Sequence, residues 1–425
     1  MSKNIKRLFL VVIIACLSVF AFSSCSGDGG DKPLGEPTPT PVATEEPAPQ
    51  EGRIKKVSKK GKCGDRLNWE YGDDNALVIY GTGEMQNYGT EEGALPQWVY
   101  LDIKRIDVLD GATSIGDFAF YGMENVSEIK VAKSVTKSGY DAFEGTGWLN
   151  NKEDSFVVLG DGVLVKYKGA SPQVTIPHGV KYISNAFDEY GDDGLDISSV
   201  KMTDSVKEIG SHAFYGCRFL YEVVFSNSLH TIGESAFENS GIRNTITLPS
   251  SVVSIENRAF AMCKGLYKIN LSESLEKIGD FAFADSGISR FEIPKNVKEI
   301  GNNPFLHCSD LRSITVSEEN ENFASDENGV LYNKNMNLIV VCPDGKRGEF
   351  IIEDSVKEIK EYAFFGCDLM ESVYVPDSVT RIGDFAFSNS ITICGRANSQ
   401  AHRYAQNNGY AFEKMDAKIL EETKE

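Results

Sequence analysis

The sequence is poor in the residues that carry chemistry. Its 425 residues include only five histidines (His178, His212, His230, His307 and His402), which fall at unrelated spacings and read as surface or turn residues. No Cys-x-x-Cys pair and no metal-spaced Cys/His set occurs, so neither zinc nor any other metal is expected. G-x-S-x-G, H-E-x-x-H and phosphate-loop patterns are missing as well. Ser134-x-x-Lys137 and Ser274-x-x-Lys277 share the letters of a serine–lysine pair, but they stand among turn residues where both types are common filler. Asp192-Asp193 and Asp326-Glu327-Asn328 lack the ligand spacing of a calcium loop. No cofactor is expected, and an enzyme is disfavoured.

Basic charge is also short. Lys and Arg number 43 against 62 Asp and Glu, a net charge of −19. A surface that acidic repels phosphate backbones, which argues against a nucleic-acid partner. Proline is sparse at 14 residues, while 41% of the chain is hydrophobic. That balance excludes a wholly disordered chain and a collagen. The apolar run Leu8–Phe22 has 15 residues, short of the roughly 20 needed to span a bilayer.

That run follows Lys3, Lys6 and Arg7 and ends in Ser23-Ser24-Cys25, before the flexible Ser26–Asp31. A short basic region and an apolar core read as a secretory signal peptide over residues 1–24. Small residues before a Cys resemble a bacterial lipoprotein cleavage site, which implies Cys25 as the lipid-bearing first residue. Phe22 stands where such sites usually have an aliphatic residue. The alternative box Ile13-Ile14-Ala15-Cys16 would leave an apolar run of only eight residues. Residues 25–52, rich in Pro, Thr and Glu, read as an extended spacer behind the anchor. Without the three leader bases the charge becomes −22.

What the chain does have is a repeat. Ala-Phe recurs at Phe120, Phe143, Phe187, Phe214, Phe237, Phe260, Phe283, Phe364 and Phe387, with Pro304-Phe305 in the same slot. Successive Phe residues are 23, 44, 27, 23, 23, 23, 22, 59 and 23 apart. A persistent period near 23 marks a solenoid. Within each unit, Ile246-x-Leu248 and Ile269-x-Leu271 show the alternation of a half-buried strand. Pro249, Pro294 and Pro376 end that strand. Gly210, Gly233, Gly279, Gly301 and Gly383 mark the next turn, where positive φ is expected. Stacked units would bury a continuous core, with the strands paired into a parallel sheet along one face.

The frame I-x-I/L-P-x-x-V-x-x-I-G-x-x-A-F resembles the BspA-type leucine-rich repeat family of bacterial surface proteins. The resemblance implies a repeat solenoid of short parallel strands and turns over residues 108–395. It also implies hairpin insertions near 155–168 and 329–342, a β-rich amino-terminal cap over 53–107 and a short α/β cap within 396–425. In the amino-terminal cap a meander turns at Gly72–Asn75 and Trp98 packs near the first repeat. At the other end Gln400–Asn407 should be helical, Gly409 should stop it, and Tyr410–Phe412 should form a last strand. Ser138 in place of Ile, and Pro304 in place of Ala, should be locally irregular.

Cys217, Cys263, Cys308 and Cys367 share one slot, three residues after the repeat Phe, with Ser240, Ser286 and Ser390 in the alternate units. Coils stack about 4.8 Å apart, so Cys217 and Cys263 lie about 10 Å apart, beyond the ~7 Å reach of a disulfide. These thiols should be free and buried; the pairing of Cys63, Cys342 and Cys394 stays open. Positions that alternate away from the core form the candidate binding face. They are Glu128, Lys130, Glu222, Val224, Thr245, Thr247, Lys268, Asn270, Arg290, Glu292, Ser313, Thr315, Ser372 and Tyr374. Lys268 and Arg290, about 5 Å apart on adjacent coils, would make a basic spot in an acidic chain. The resemblance implies a non-enzymatic protein exported to the bacterial surface, touching the membrane only through its lipid. Its partner would be an extracellular protein or glycoprotein bound in adhesion. The alternative, a glycan-capturing protein, calls for exposed Trp or Tyr in one row, whereas Trp69, Trp98 and Trp148 are scattered.

Overall fold

A strand–turn unit of about 23 residues cannot bury its apolar edge alone, and the chain winds such units into a β-solenoid of about 13 turns. The computed structural model describes residue 54 and residues 56–187 and 196–415. The leader, Cys25, the spacer, Asp192-Asp193 and the tail from residue 416 lie outside the described residues.

Each coil has three sides. The first is the I-x-L strand, such as Gly265–Asn270. The second is a two-residue strand ending in the second Ile, such as Lys277–Ile278. The third is the Ala-Phe segment. The continuous sheet forms on the second side, not the first. Eight strands run there in the order Glu299–Ile300, Lys277–Ile278, Ser254–Ile255, Thr231–Ile232, Glu208–Ile209, Tyr182–Ile183, Val163–Tyr167, Phe156–Leu159. All the neighbours are parallel except the last pair, the hairpin at Gly160–Gly162. The first side is divided into separate sheets of five, three, two, two and four strands. Two-residue strands tolerate differing coil lengths, whereas three- to six-residue strands must keep register over their whole length.

The third side carries a ladder of its own. Phe214, Phe237 and Phe260 each donate their N–H to the Ala carbonyl of the next coil at 2.8 Å. The residues two before and two after these Phe do the same: Ser235 to Asn257 and Asn239 to Ala261, both at 2.9 Å. Ser235 (φ 51°), Asn239 (φ 57°), Arg258 (φ 55°) and Met262 (φ 59°) are left-handed. So the positive φ expected at the turn Gly falls two residues later. Gly233, Gly279, Gly301 and Gly383 serve close approach instead. A Cβ on Gly279 would lie 2.4 Å from Asn257 N, and one on Gly383 would lie 2.4 Å from Glu361 N.

The repeat Phe rings stack into a column inside the coils. Centroids of Phe187, Phe214, Phe237, Phe260, Phe283 and Phe305 follow one another at 4.8, 5.1, 5.3, 5.7 and 5.8 Å, within 15° of parallel. Every one of these rings is fully buried. Beside the column runs a polar thread. Cys217, Cys263 and Cys308 place Sγ 3.1 Å from the carbonyl of the preceding repeat Phe. Ser240 Oγ sits 3.4 Å from Cys263 Sγ, and Ser286 Oγ 3.4 Å from Cys308 Sγ. A small side chain with a weak donor fits there, which explains the Cys/Ser alternation. Ser390 is exposed, and its Oγ lies 3.1 Å from Ser388 Oγ instead of in the thread.

The column breaks at the insertions. The second is three-stranded, since Phe323–Ser325 adds to the pair Leu331–Asn333 and Leu338–Val341. The apolar interior accordingly forms three clusters, spanning Cys63–Tyr182, Leu164–Val341 and Val330–Ala405. Ser138 and Pro304 mark the edges of these breaks. Ser138 ends a two-stranded sheet, and its carbonyl accepts from Ser184 Oγ at 3.3 Å. Beside Pro304, Asn303 has a φ of only 21° and reaches past the insertion to Tyr362 O at 3.0 Å. Lys360 Nζ is held 2.8 Å from both Ile300 O and Gly301 O, tying the coil after the insertion to the coil before it.

The ends of the array are covered. Antiparallel Val57–Lys62, Leu67–Gly72 and Ala76–Gly81 lead into parallel Arg105–Val108. Trp98 donates Nε1–H to Ala119 O at 2.9 Å and packs on Phe120. A short helix at Gly147–Asn150, not anticipated, buries Trp148. At the far end helix Gln400–Asn408 stops at left-handed Gly409, and Tyr404 and Tyr410 cover the ring of Phe387. The last strand is Phe412–Lys414, two residues later than expected. Among the described residues no helix is long and apolar enough to cross a membrane.

Phe260→Ala is expected to cost about 3–5 kcal/mol in denaturant unfolding, since it opens a gap in a close-packed column. Gly279→Ala should cost about 1–3 kcal/mol by steric crowding, and Gly279→Asn, which would suit a left-handed site, should do no better. Burial pushes the Cys263 and Cys308 thiols up to about 12. Native alkylation at pH 8 should therefore leave Cys217, Cys263, Cys308 and Cys367 unmodified, with full labelling after denaturation.

Candidate functional site

The fourteen outward positions do not form one surface. Glu128 and Lys130 pair with Arg105 and Asp107 in the amino-terminal sheet, and their own side chains form an ion pair at 2.6 Å. Each holds the other's charged form, with Glu128 lowered and Lys130 raised chiefly by that hydrogen bond. Ser372 and Tyr374 belong to the carboxy-terminal sheet and are only half-buried. Burial, followed by the fields of Asp377 and Asp354, raises the Tyr374 hydroxyl.

The remaining ten lie on the central coils. Thr245 pairs with Lys268 and Thr247 with Asn270, whose Nδ2 donates to Thr247 Oγ1 at 2.9 Å. Arg290 pairs with Ser313 and Glu292 with Thr315. Glu222 and Val224 pair with Ser199 and Lys201. Asn270 and Ser313 are half-buried; the other eight are exposed.

Lys268 and Arg290 are not ladder neighbours, a departure from the expected continuous face. Gly265–Asn270 and Arg290–Ile293 belong to different sheets. The cause lies in the coil from Phe283 to Phe305, one residue short at 22. It carries Phe291 as an inward residue, packed on Phe283 at 5.2 Å and Phe305 at 4.5 Å. A groove of about 310 Å³ lies along these strands and the next. The groove is lined by Asn270, Leu271, Glu292, Pro294 and Thr315 among others. The short spacing is its sequence signal, and it becomes readable only once the inward ring is placed.

Basic and aromatic side chains stand on the coils before this groove. Arg243 lies over the ring of Tyr221 with its Cζ 4.0 Å from the centroid. Phe219, Tyr221 and Tyr267 are 49%, 37% and 57% exposed, large values for such side chains. Tyr221 and Tyr267 flank the predicted face in sequence. Phe219 and Arg243 join it only because adjacent coils bring them together.

The groups whose protonation is most displaced do not assemble into a reactive set. Burial lowers His212 to about 4, and its ring lies between Tyr140 and Tyr215 at 4.7 and 5.5 Å. Burial raises Asp344 to about 7, and its Oδ1 lies 3.8 Å from Cys367 Sγ. Each is enclosed by its own coil neighbours rather than opening on the groove. Among the described residues, no group of three or more His, Cys, Asp and Glu side chains could hold a metal ion.

The model of the BspA type leucine rich repeat region matches this chain in six copies, over residues 98–190, 171–252, 188–312, 235–347 and 346–417. Among solved structures, a leucine rich cell surface protein from Faecalibacterium prausnitzii is 27% identical, with 57% of this chain and 75% of that one covered and a TM-score of 0.44. The pneumococcal vaccine antigen PcpA is 22% identical, with 80% and 73% covered and a TM-score of 0.46. A leucine-rich repeat protein from Bacteroides ovatus is 19% identical, with 83% and 99% covered and a TM-score of 0.38. None of the curated proteins matches. With the coil geometry in view and the family model spanning most of the described residues, this chain is a member of the BspA-type leucine-rich repeat family.

Proposed function

We propose that this protein is a non-enzymatic binding protein of the bacterial surface, held by a lipid on Cys25, that engages an extracellular protein or glycoprotein in adhesion. The observation that carries this reading is the division of labour in each coil. The Phe, Ala, Ile and Gly positions are nearly fixed and buried, while the strand positions facing solvent differ from coil to coil. A rigid scaffold with a varied outer face suits recognition, because its side chains are ordered before a partner arrives. The central patch is the best site on that face. Its exposed Tyr and Arg residues are the types that dominate interface energetics. Its Arg243, Lys268 and Arg290 side chains would favour carboxylates on the partner and speed the encounter. Net acidity elsewhere fits a surface that stays soluble and avoids anionic lipid.

A triple variant, Lys268→Glu with Arg290→Glu and Tyr267→Ala, should bind extracellular-matrix protein at least about tenfold more weakly in a pull-down titration. Its melting temperature should be unchanged, since none of the three side chains fills the core. Deleting the hairpin tip at Gly160–Gly162 or the turn at Asn333–Asn337 should leave binding intact. If instead the tips abolish binding and the triple variant does not, the insertions carry the function. Metabolic labelling with a lipid precursor should mark the wild type and leave Cys25→Ser unlabelled.

A further inference from the structure

The third side of the solenoid, with its left-handed residues, places aromatic side chains where the backbone disfavours them. Phe281 (φ 55°), Tyr362 (φ 58°) and Phe385 (φ 51°) occupy the left-handed position two residues after the turn Gly or its equivalent. A bulky side chain there is an outlier, and Gly or Asn would relieve the backbone. These outliers are neighbours in space. Tyr362 stacks on Phe385 with centroids 5.5 Å apart and 13° between planes. Phe365 stands edge-on to both rings at 5.5 and 6.4 Å, and Phe281 stands edge-on to Tyr362 at 5.6 Å. Phe385 is 54% exposed, so much of this hydrophobic surface stays in water.

The rim of the cluster is acidic. The residues just before these rings are Asp280, Glu361 and Asp384, and Asp384 is exposed. Partial burial and then the fields of these same three carboxylates raise the Tyr362 hydroxyl. Of the nearby bases, Lys360 is held by backbone carbonyls, from where its charge still reaches Asp280 and Glu361 but not Asp384. Lys360 Nζ sits on the carbonyls of Ile300 and Gly301, and Lys277 Nζ sits 2.7 Å from Glu256. Ring faces carry negative potential, and carboxylates beside them add to it. The combination is complementary to an organic cation and unfavourable to an anion.

We propose that this edge is a second binding surface, separate from the sheet-face patch, which takes up the Arg or Lys side chains of a basic polypeptide segment. The cation would lie against the exposed ring of Phe385 with Asp384 and Glu361 as counter-ions, while its aliphatic stem covers the neighbouring aromatic surface. This division of charge gives the solenoid a basic site for acidic partners on one side and an acidic aromatic site for basic partners on another.

The test is fluorescence anisotropy of a labelled deca-arginine peptide titrated with the full-length chain. Phe385→Gly combined with Tyr362→Gly should weaken binding about tenfold although no charge changes. The melting temperature should stay within about 3 °C, because glycine suits the left-handed backbone. Phe385→Tyr should retain binding, and Asp384→Asn with Glu361→Gln should weaken it to a similar degree. Lys268→Glu with Arg290→Glu should not weaken it, which separates this surface from the sheet-face reading. Undiminished binding by the glycine variant would reduce the effect to general attraction to an acidic protein and overturn the proposal. So would lack of peptide binding by the wild type, or binding of neutral oligosaccharide in preference to the peptide at the same rings.

Discussion

Everything in this molecule rests on stacking one buried phenylalanine upon the next. Along the column from Phe187 to Phe305 each ring meets the ring of the adjacent coil face to face, and each Phe N–H but the last bonds the carbonyl of the residue before the next ring. Ring stacking and hydrogen bonding therefore fix the same repeat distance. Coil spacing, the Cys/Ser thread and the short strands of the second side all inherit that distance. A Gly is needed after the second Ile because the coils approach too closely there for a side chain, and this requirement also follows from the stacking distance. Stability in such an array is a sum of coil-to-coil interfaces, so a defect in one interface is felt mainly by its two neighbours.

The interruptions show how the array tolerates inserted chain. At the second insertion the Phe column is lost between Phe305 and Phe364, and polar side chains take over the contact between the flanking coils. Lys360 supplies a positive donor to two carbonyls, Asn303 spans to Tyr362, and Asn302 Nδ2 reaches Glu361 Oε2 at 3.3 Å. At the first insertion Asn185 Nδ2 bonds Asp141 Oδ1 at 2.6 Å. Long polar side chains can bridge the varied gaps left by an insertion, which a fixed apolar packing cannot do. The result is an array of three cores whose outer sides stay available for recognition.

Those outer sides differ in chemistry because different constraints act on them. The strand side must keep its inward residues apolar but leaves the alternating ones unconstrained, and there exposed Arg, Lys and Tyr side chains occur on the central coils. The turn side is constrained in its backbone, since one or two residues per coil are left-handed where N–H groups are presented to the next coil. Asn239 and Asn303 suit that requirement; Phe281, Tyr362 and Phe385 do not, and they are the residues that gather into the exposed aromatic cluster. A bulky ring held in an unfavourable backbone conformation and left in water is poor economy for folding alone.

The sequence by itself determined the repeat, its period and the identity of the buried residues. All of these are written in local alternation and in the recurrence of Ala-Phe, which depend on neighbours within one unit. Free buried thiols in the ladder were legible too, because coil spacing alone decides whether two alternate cysteines can meet. Tertiary structure alone decided which side holds the continuous sheet and why the turn glycines are small. Both depend on the distance between residues 23 apart rather than on the conformation of either. It also decided that the strands carrying Lys268 and Arg290 belong to different sheets with a groove along them, a break that spacing alone does not encode. The aromatic edge escaped notice for the same reason. Phe281, Tyr362 and Phe385 look like variable turn residues in a linear reading, and only the winding of the coils past an insertion brings their rings into contact.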